Sequence, residues 1–186
     1  MKKLTALLLA IAMMVTCTLC AVAEDGKTYM AVCIASEPDT LDPALNSAVD
    51  GATMVAYLFA GLSTWAQTDD GKLEILPDCA VELPDPVVND DGTVTYTYTL
   101  VDGLKWSDGK DLTAKDFEFA WKRAASSELG ADYGYMFEVI KGYTADGSDP
   151  KAENLAVTAV DNKTLTVTLN NPVAYWNELL AFPAYM

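Results

Sequence analysis

The most regular alternation of apolar and polar residues lies at residues 93–100, whose sequence is TVTYTYTL. Successive side chains of a β-strand point to opposite faces, so this spacing places the threonines on one face and the larger residues on the other. β-branched and aromatic residues also favour strands. The pattern predicts a strand with one buried face, formed by Val94, Tyr96, Tyr98 and Leu100.

Shorter patterns predict further strands and the turns between them. The run TYMAVCIA at residues 28–35 is apolar without alternation, which indicates a strand buried on both faces. Pro84 and Pro86 interrupt regular pairing over residues 83–88. The other predicted strands are residues 73–76, 154–160 and 164–169, and the predicted turns are residues 69–71, 89–92, 102–103, 108–109 and 161–163.

The clearest helix pattern follows Thr113. Thr113 can cap the first turn, and Asp116 can accept a hydrogen bond from the free backbone amide in a variant of the capping box. Apolar residues then recur at i, i+3, i+4 and i+7, which is one face of a helix. This predicted buried face consists of Phe117, Ala120, Trp121 and Ala124.

Three further helices are predicted, and together with the strands they decide the fold class. Met54, Leu58 and Leu62 fall on one side of the first helix, and Pro172 can begin the last because proline is favoured at the first helical position. Strands that come in hairpins between separated helices favour a mixed α+β fold. The predicted helices span residues 51–62, 133–141 and 172–180.

The first residues are typical of a secretory signal peptide. Two lysines precede an apolar run at residues 4–19, and the small residues Ala21 and Ala23 occupy the −3 and −1 positions before Glu24. We expect cleavage after Ala23 and a mature chain that works outside the cytoplasm, in the periplasm or at the cell surface. An uncleaved anchor helix and lipidation at Cys20 are the alternatives.

Charge and composition argue against several classes of function. The formal net charge is −15, and without Lys2 and Lys3 ten basic residues stand against 27 acidic ones, which gives −17. Such a surface repels phosphate backbones and argues against nucleic-acid binding. The chain has no histidine, which removes Ser-His-Asp and Cys-His catalysis and most zinc sites.

Acidic residues give only a weak catalytic hypothesis. Glu37, Asp39 and Asp42 could supply the two carboxylates of a secreted hydrolase, but acids are abundant throughout the chain. The turns at residues 69–71 and 89–92 lack the ligand spacing and closing glutamate of calcium loops. We therefore predict no catalytic residue, no metal site and no cofactor.

Aromatic residues and cysteines leave alternatives open. Tyr133 and Tyr135 could present their hydroxyls to a cleft or pack on the surface. Cys33 and Cys79 could form a bridge after export or remain two buried free thiols. Core or hinge packing is the simplest role of the four tryptophans, which are Trp65, Trp106, Trp121 and Trp176.

Four blocks of sequence together resemble one family. The blocks are SEPDTLDP at residues 36–43, LKWSDG followed by LTAKDF at residues 104–117, DNKTLTVTL at residues 161–169 and FPA at residues 182–184. In this order they resemble the extracytoplasmic oligopeptide-binding proteins, which are the solute receptors of peptide/nickel-type ABC importers. The resemblance extends over residues 28–186, essentially the whole predicted mature chain.

The resemblance implies a type II periplasmic-binding-protein-like lobe in a monomeric two-lobed receptor that closes around its ligand. Peptides would be held extended, largely by backbone hydrogen bonds, and delivered to an ABC permease in the membrane. Because family members are much longer, we expect Met186 to lie within the first lobe of a longer receptor. The predicted domains are a signal peptide at residues 1–23 and part of a solute-binding domain at residues 24–186, with a small β-rich subdomain at about 64–150.

The resemblance also implies where a ligand would bind. The segment after the first predicted strand borders the cleft in the family, and Tyr133 matches the position of a cleft tyrosine. Pro38 has no amide hydrogen, so only its carbonyl could bond a peptide. A surface loop that caps the sheet is the alternative. The predicted ligand-binding residues are Glu37, Pro38, Asp39, Thr40, Tyr133 and Tyr135.

The predicted function is the capture of extended oligopeptides as the substrate-binding component of an ABC importer. One alternative is a receptor for another solute, such as a nickel complex, haem or a sugar. Another is a non-transporting sensor or surface protein with the same scaffold. A secreted hydrolase that uses acidic residues ranks last.

Overall fold

The structure is a computed structural model, described over residues 30–186. The predicted signal peptide and the lipidation alternative at Cys20 lie outside the described residues, as do Thr28 and Tyr29. Contacts divide the chain into two units between Ala35 and Ser36; the described part of the first is residues 30–35, and the second is Ser36–Met186. Among the helices of the described residues, none combines the length and apolar character that a bilayer crossing requires.

The described end of the first unit contradicts the predicted buried strand. Residues 30–35 form no strand, and Met30 and Val32 are 83% and 69% exposed. An apolar run becomes a strand only where neighbouring strands complete its backbone hydrogen bonds. None of the strand pairs within residues 30–186 includes this run, so its composition alone is not sufficient.

The second unit contains a hairpin and a four-stranded antiparallel sheet. The hairpin turns at residues 68–72, as predicted, and pairs Trp65 with Ile75. The strands are β1 (Ser63–Gln67), β2 (Leu73–Pro77), β3 (Val87–Val88), β4 (Val94–Thr99), β5 (Val157–Ala159) and β6 (Thr164–Leu169). Strands β1 and β2 form the hairpin, and the sheet has the strand order β3-β4-β6-β5.

Strands β4 and β6 form the centre of this sheet and confirm the alternation predicted from the sequence. They pair over their full length, from Val94 opposite Leu169 to Thr99 opposite Thr164. The apolar side chains of both strands are buried, while the threonines of β4 are half-buried or exposed. At the edge, β3 pairs over only two residues, as expected beside the two prolines.

The α-helices are α1 (Val49–Leu58), α2 (Ala114–Ala125) and α3 (Trp176–Leu180). Helix α2 and its cap are predicted correctly. The backbone N–H of Thr113 donates to the Asp116 carboxylate at 2.7 Å, which completes the reciprocal cap. Phe117, Trp121 and Ala124 are buried against the sheet and the C-terminal residues, and Ala120 of the predicted stripe is half-buried.

Helix α1 has a different buried face from the one predicted. Gly51 and Val55 are its buried residues, whereas Leu58 is 56% exposed. Leu62 is buried but lies beyond the helix, which ends because Phe59 is extended. The preceding chain lies against Gly51, and this contact rather than the apolar spacing decides which face is covered.

The C-terminal helices correct one further prediction. Gly134–Val139 is a 3-10 helix inside the predicted helical span, and Pro183–Tyr185 is a second 3-10 helix. Helix α3 begins at Trp176 and not at Pro172. The Trp176 indole is buried and donates to Tyr98 Oη at 2.8 Å, so core packing rather than proline preference fixes the start.

Aromatic rings fill the core between α2, the sheet and the C-terminal residues. The Tyr185 ring lies 5.0 Å from that of Trp121, edge to face, and 4.3 Å from that of Phe137, stacked. The indole N–H of Trp121 donates to the Tyr185 carbonyl at 2.9 Å, so its polar group is satisfied inside the core. Trp121 and Trp176 therefore confirm their predicted packing role.

Two tryptophans and one cysteine contradict the predicted burial. Trp65 is 52% and Trp106 is 40% exposed, because both lie on hairpins with an open face. Cys33 is exposed and Cys79 is buried, and both are free thiols. Of the two alternatives left open by the sequence, the bridge is not formed and burial of both thiols holds only for Cys79. Burial raises the pKa of the Cys79 thiol to about 11.

Candidate functional site

The predicted ligand-binding residues begin in a segment without regular secondary structure. We call residues 36–43, SEPDTLDP, the proline segment. At its start, the Ser36 hydroxyl donates to the Asp50 carboxylate of α1 at 2.5 Å. Near its end, the Asp42 N–H donates to the Thr40 hydroxyl at 3.1 Å. Prolines favour this extended path and prevent a helix from forming.

The end of the proline segment is fixed by an ion pair with α2. Arg123 Nη1 and Nη2 donate to Asp42 Oδ1 and Oδ2 at 2.9 and 2.6 Å, which is a two-pronged contact. The Arg123 guanidinium holds the pKa of Asp42 below its ordinary value, and burial opposes the shift. Asp42 raises the pKa of Arg123 in return.

The same carboxylate also closes the turn that follows. Asp42 Oδ1 accepts the Ala44 N–H at 3.0 Å, and the Asp42 carbonyl accepts from the amides of Leu45 and Asn46 at 3.1 and 3.0 Å. Hydrogen bonds of this kind are the usual local role of an aspartate in a turn. Asp42 therefore joins a local turn to a helix that lies far away in the sequence.

Close packing fixes the middle of the proline segment against α1. A Cβ atom on Gly51 would lie 1.9 Å from Asn46 Oδ1 and 3.1 Å from the Thr40 carbonyl oxygen. The Asn46 side chain is buried and donates to the Ala48 carbonyl at 3.1 Å. Only glycine at position 51 leaves room for both neighbours, so the path of Thr40 depends on that residue.

Between these contacts, four predicted ligand-binding residues form the outer face of the segment. Glu37 and Asp39 are exposed, while Pro38 and Thr40 are half-buried. Within residues 30–186, neither acidic side chain has a hydrogen-bond or ion-pair partner. The segment thus presents two carboxylates to solvent on a backbone that is held at both ends.

Tyr133 and Tyr135 lie at the start of the 3-10 helix. Tyr133 is half-buried, with its ring edge to face with that of Phe182 at 5.1 Å. Tyr135 is 54% exposed, and its ring centre is 6.3 Å from that of Tyr133. A Cβ on Gly134 would lie 3.1 Å from the Ala124 carbonyl oxygen, so this helix approaches the last turn of α2 closely.

The last turn of α2 is therefore the element that contacts both candidate groups. Arg123 binds the proline segment, and its neighbour Ala124 contacts the tyrosine-bearing turn. Two depressions among the described residues, of about 420 and 700 Å³, lie elsewhere. Neither contains a predicted ligand-binding residue. The first is lined by Asn89, Asp90, Asp91, Thr93, Lys141, Ala156 and Thr168, and the second by Thr99, Lys115 and residues 160–164.

The ion pair was not predicted from the sequence. From the sequence, Asp42 is one carboxylate of the weak hydrolase hypothesis and one residue of the SEPDTLDP block, and neither predicts a contact with Arg123. The lowered pKa of Asp42 and its two-pronged contact with Arg123 do not suit a general acid, which needs a raised pKa. Their separation of 81 residues leaves no local pattern that could have joined them.

Comparison with known proteins identifies the family. Residues 74–186, more than half of the chain, match bacterial extracellular solute-binding proteins, family 5 Middle. The chain is 40% identical over 163 residues to the oligopeptide-binding protein OppA of Bacillus subtilis, which covers 87% of this chain and 28% of that protein. It is 36% identical over 151 residues to the probable deoxycholate-binding periplasmic protein YgiS of Escherichia coli, covering 80% and 27%.

A solved structure agrees with this match. Haemophilus influenzae OppA in complex with RPPGFSPFR has a TM-score of 0.69 at 30% identity, over 82% of this chain and 29% of that chain. This chain spans less than a third of the length of these relatives. The comparisons confirm the predicted α+β class and the partial type II periplasmic-binding-protein-like lobe. The chain belongs to family 5 of the bacterial extracellular solute-binding proteins, a family of solute-binding proteins and not of enzymes.

Proposed function

We propose that this chain is part of the substrate-binding component of an ABC importer, and that it captures extended oligopeptides for delivery to a membrane permease. The observation that carries this proposal is the 40% identity, over 87% of the chain, to a protein named for binding oligopeptides. The peptide bound to the Haemophilus influenzae relative supports the same class of ligand. The receptor acts as a monomer and needs no cofactor.

We propose the proline segment and the tyrosine-bearing turn as the ligand-contact surface of this chain. The exposed carboxylates of Glu37 and Asp39 suit the amino terminus or a basic side chain of a peptide. Pro38 offers only its carbonyl, and Thr40 offers its backbone, to a strand-like ligand. The proposed contact residues remain Glu37, Pro38, Asp39, Thr40, Tyr133 and Tyr135.

We also propose that no bond is made or broken in this protein. The Arg123 guanidinium holds the pKa of Asp42 below its ordinary value, which is the wrong direction for a general acid. Incubation with peptide should therefore return the peptide intact. Release of free amino acids by the purified protein, abolished in Glu37→Gln and Asp39→Asn variants, would support the hydrolase instead.

The proposed location is outside the cytoplasmic membrane, in the periplasm or at the cell surface. The family description as extracellular supports export, and the basic and apolar leader supports cleavage after Ala23. Mass determination of the exported protein would separate cleavage from lipidation at Cys20. Limited proteolysis would test the proposed β-rich subdomain at about residues 64–150.

A different solute is the second candidate, and one relative favours it. The Escherichia coli protein that is 36% identical over 151 residues is named as a probable deoxycholate-binding protein. A bile acid has an apolar body and one carboxylate, so an acidic contact segment would repel it. The two exposed carboxylates of the proline segment therefore favour a peptide over an anionic sterol.

Calorimetry of the full gene product that contains this chain tests the proposal. We expect heat of binding with a pool of short peptides and none with deoxycholate. Glu37→Gln and Asp39→Asn should weaken peptide binding, whereas Glu74→Gln, which removes an exposed carboxylate from β2, should not. Binding of deoxycholate without binding of peptides would replace the peptide by the second candidate.

A further inference from the structure

The proline segment is a loop whose conformation depends on its contacts with α1 and α2. Its residues belong to no helix or strand, and the carboxylates of Glu37 and Asp39 are exposed. Its side-chain hydrogen bonds to helices lie at the ends, from Ser36 to α1 and from Asp42 to α2, and between them the Thr40 carbonyl packs close to Gly51 of α1. A free loop samples many conformations, so contacts at its ends reduce the entropy lost when a ligand binds.

The contact at Asp42 is the more restrictive of the two. Ser36 makes a single hydrogen bond, whereas Arg123 holds both carboxylate oxygens in a planar arrangement that also sets the orientation of the group. The Asp42 and Arg123 side chains are only 28% and 35% exposed, so solvent screens this ion pair incompletely. A lysine could supply the charge but not the second parallel hydrogen bond.

Arg123 is itself held by a rigid element. Helix α2 is capped at Thr113, and the Phe117 and Trp121 side chains of its buried face are 4% and 0% exposed. A guanidinium on such a helix has a defined position before any ligand is present. It can therefore fix the proline segment in advance, which is the condition for preorganised binding.

We infer that the Asp42–Arg123 ion pair positions the proline segment for ligand capture, so that Arg123 determines affinity without contacting the ligand. The inference rests on the proposed function and adds a positioning residue to it. When the pair is broken, the segment spends only a fraction of its time in the binding geometry. The apparent affinity then falls to that fraction of its original value, while the contact residues are unchanged.

The chain offers a matched control on the same helix. Lys122, the preceding residue, pairs with Glu118 at 2.7 Å, and these side chains are 26% and 28% exposed. This pair is similar in exposure to that of Arg123, but Glu118 also accepts the Ala159 N–H and so faces β5. Lys122→Met therefore removes a comparable ion pair from α2 without disturbing the proline segment.

The test compares Arg123→Met with Lys122→Met in the full gene product. We expect Arg123→Met to weaken peptide affinity about tenfold, which corresponds to a segment that is correctly placed for about a tenth of the time. Arg123→Lys should lie between wild type and Arg123→Met. Lys122→Met should change affinity less than about twofold, although both variants lower the urea midpoint similarly.

A second measurement needs no ligand and keeps the inference separate from the proposed function. Hydrogen exchange at the amides of residues 39–46 should accelerate in unliganded Arg123→Met and stay unchanged in Lys122→Met. If wild type binds no peptide but the exchange differs in this way, the proposed function fails and the positioning role of Arg123 stands. Unchanged exchange, or equal affinity losses in both variants, would overturn the inference.

Discussion

Gly51 lies where the proline segment crosses α1, and its replacement by alanine tests how tightly that crossing is packed. Alanine is favoured over glycine inside a helix by about 1 kcal/mol. The added Cβ, however, would lie 1.9 Å from Asn46 Oδ1 and 3.1 Å from the Thr40 carbonyl oxygen. Helix propensity and local packing thus predict opposite signs for the same substitution.

The packing contribution is the larger of the two. Forcing one extra methyl group into a filled site costs about 1–3 kcal/mol. Because Asn46 is buried, its side chain can leave only by giving up its hydrogen bond to the Ala48 carbonyl, which costs about 1 kcal/mol more. Subtracting the helix gain leaves a predicted loss of about 1–3 kcal/mol in the free energy of unfolding for Gly51→Ala.

Urea unfolding of Gly51→Ala, Asn46→Ala and the double variant measures this balance. Without the Asn46 amide the new methyl group has space. The double variant should therefore lose at least about 1 kcal/mol less free energy of unfolding than the two single variants lose in sum. The affinity for peptide should also fall in Gly51→Ala, since Thr40 is displaced. A Gly51→Ala variant that is as stable as wild type would refute the tight packing between the proline segment and α1.

Three further predictions concern the core, a turn and the ion pair. Gly142 and Gly92 have similar φ angles, 87° and 83°, but a Cβ on Gly142 would lie 2.0 Å from a backbone carbonyl oxygen, whereas a Cβ on Gly92 would meet open space. Gly142→Ala should therefore lower the free energy of unfolding by at least about 2 kcal/mol more than Gly92→Ala. Equal urea midpoints would contradict this. Tyr98→Phe leaves the buried Trp176 indole N–H without its acceptor and should lower the free energy of unfolding by about 1–3 kcal/mol, whereas a loss below about 0.5 kcal/mol would show that the hydrogen bond is replaced. Because the pKa of Asp42 is below its ordinary value of 3.8, its stabilisation is complete above that value and lost as the pH falls through the lowered pKa. The urea midpoint should therefore fall further in wild type than in Asp42→Asn between about pH 6 and 2, and parallel curves would disprove the contribution.

The sequence predicted an element correctly where the residues that determine that element lie close together in the chain. The alternation in β4 and the cap at Thr113 each involve residues within a few positions of one another, and both are confirmed. Turn residues likewise placed the β1–β2 hairpin correctly. In β4 and α2 a periodic apolar face also met a partner surface, so local preference and burial agreed.

Errors arose where distant contacts decide the outcome. The apolar spacing of α1 favoured Leu58 as a core residue, but the proline segment covers Gly51 instead. Pro172 is a suitable helix start, yet burial of the Trp176 ring sets the first turn of α3 later. Residues 30–35 have a strand composition without a strand partner within the described residues. In α1 and α3 a tertiary contact overrides a local preference, and at residues 30–35 no described strand pairs with the run; sequence spacing encodes neither outcome.

The candidate site shows the same division, and the structure adds a physical link between its two proposed parts. Resemblance pointed to the proline segment and to Tyr133, but it gave no reason for two segments so far apart to act on one ligand. The last turn of α2 provides a physical reason, because Arg123 holds one segment and the Ala124 carbonyl contacts the turn that carries the tyrosines. Consecutive residues of a helix are fixed relative to one another by the backbone hydrogen bonds. The relative placement of the two groups therefore depends on one capped helix, and loosening its buried face at Trp121 should disturb both groups at once.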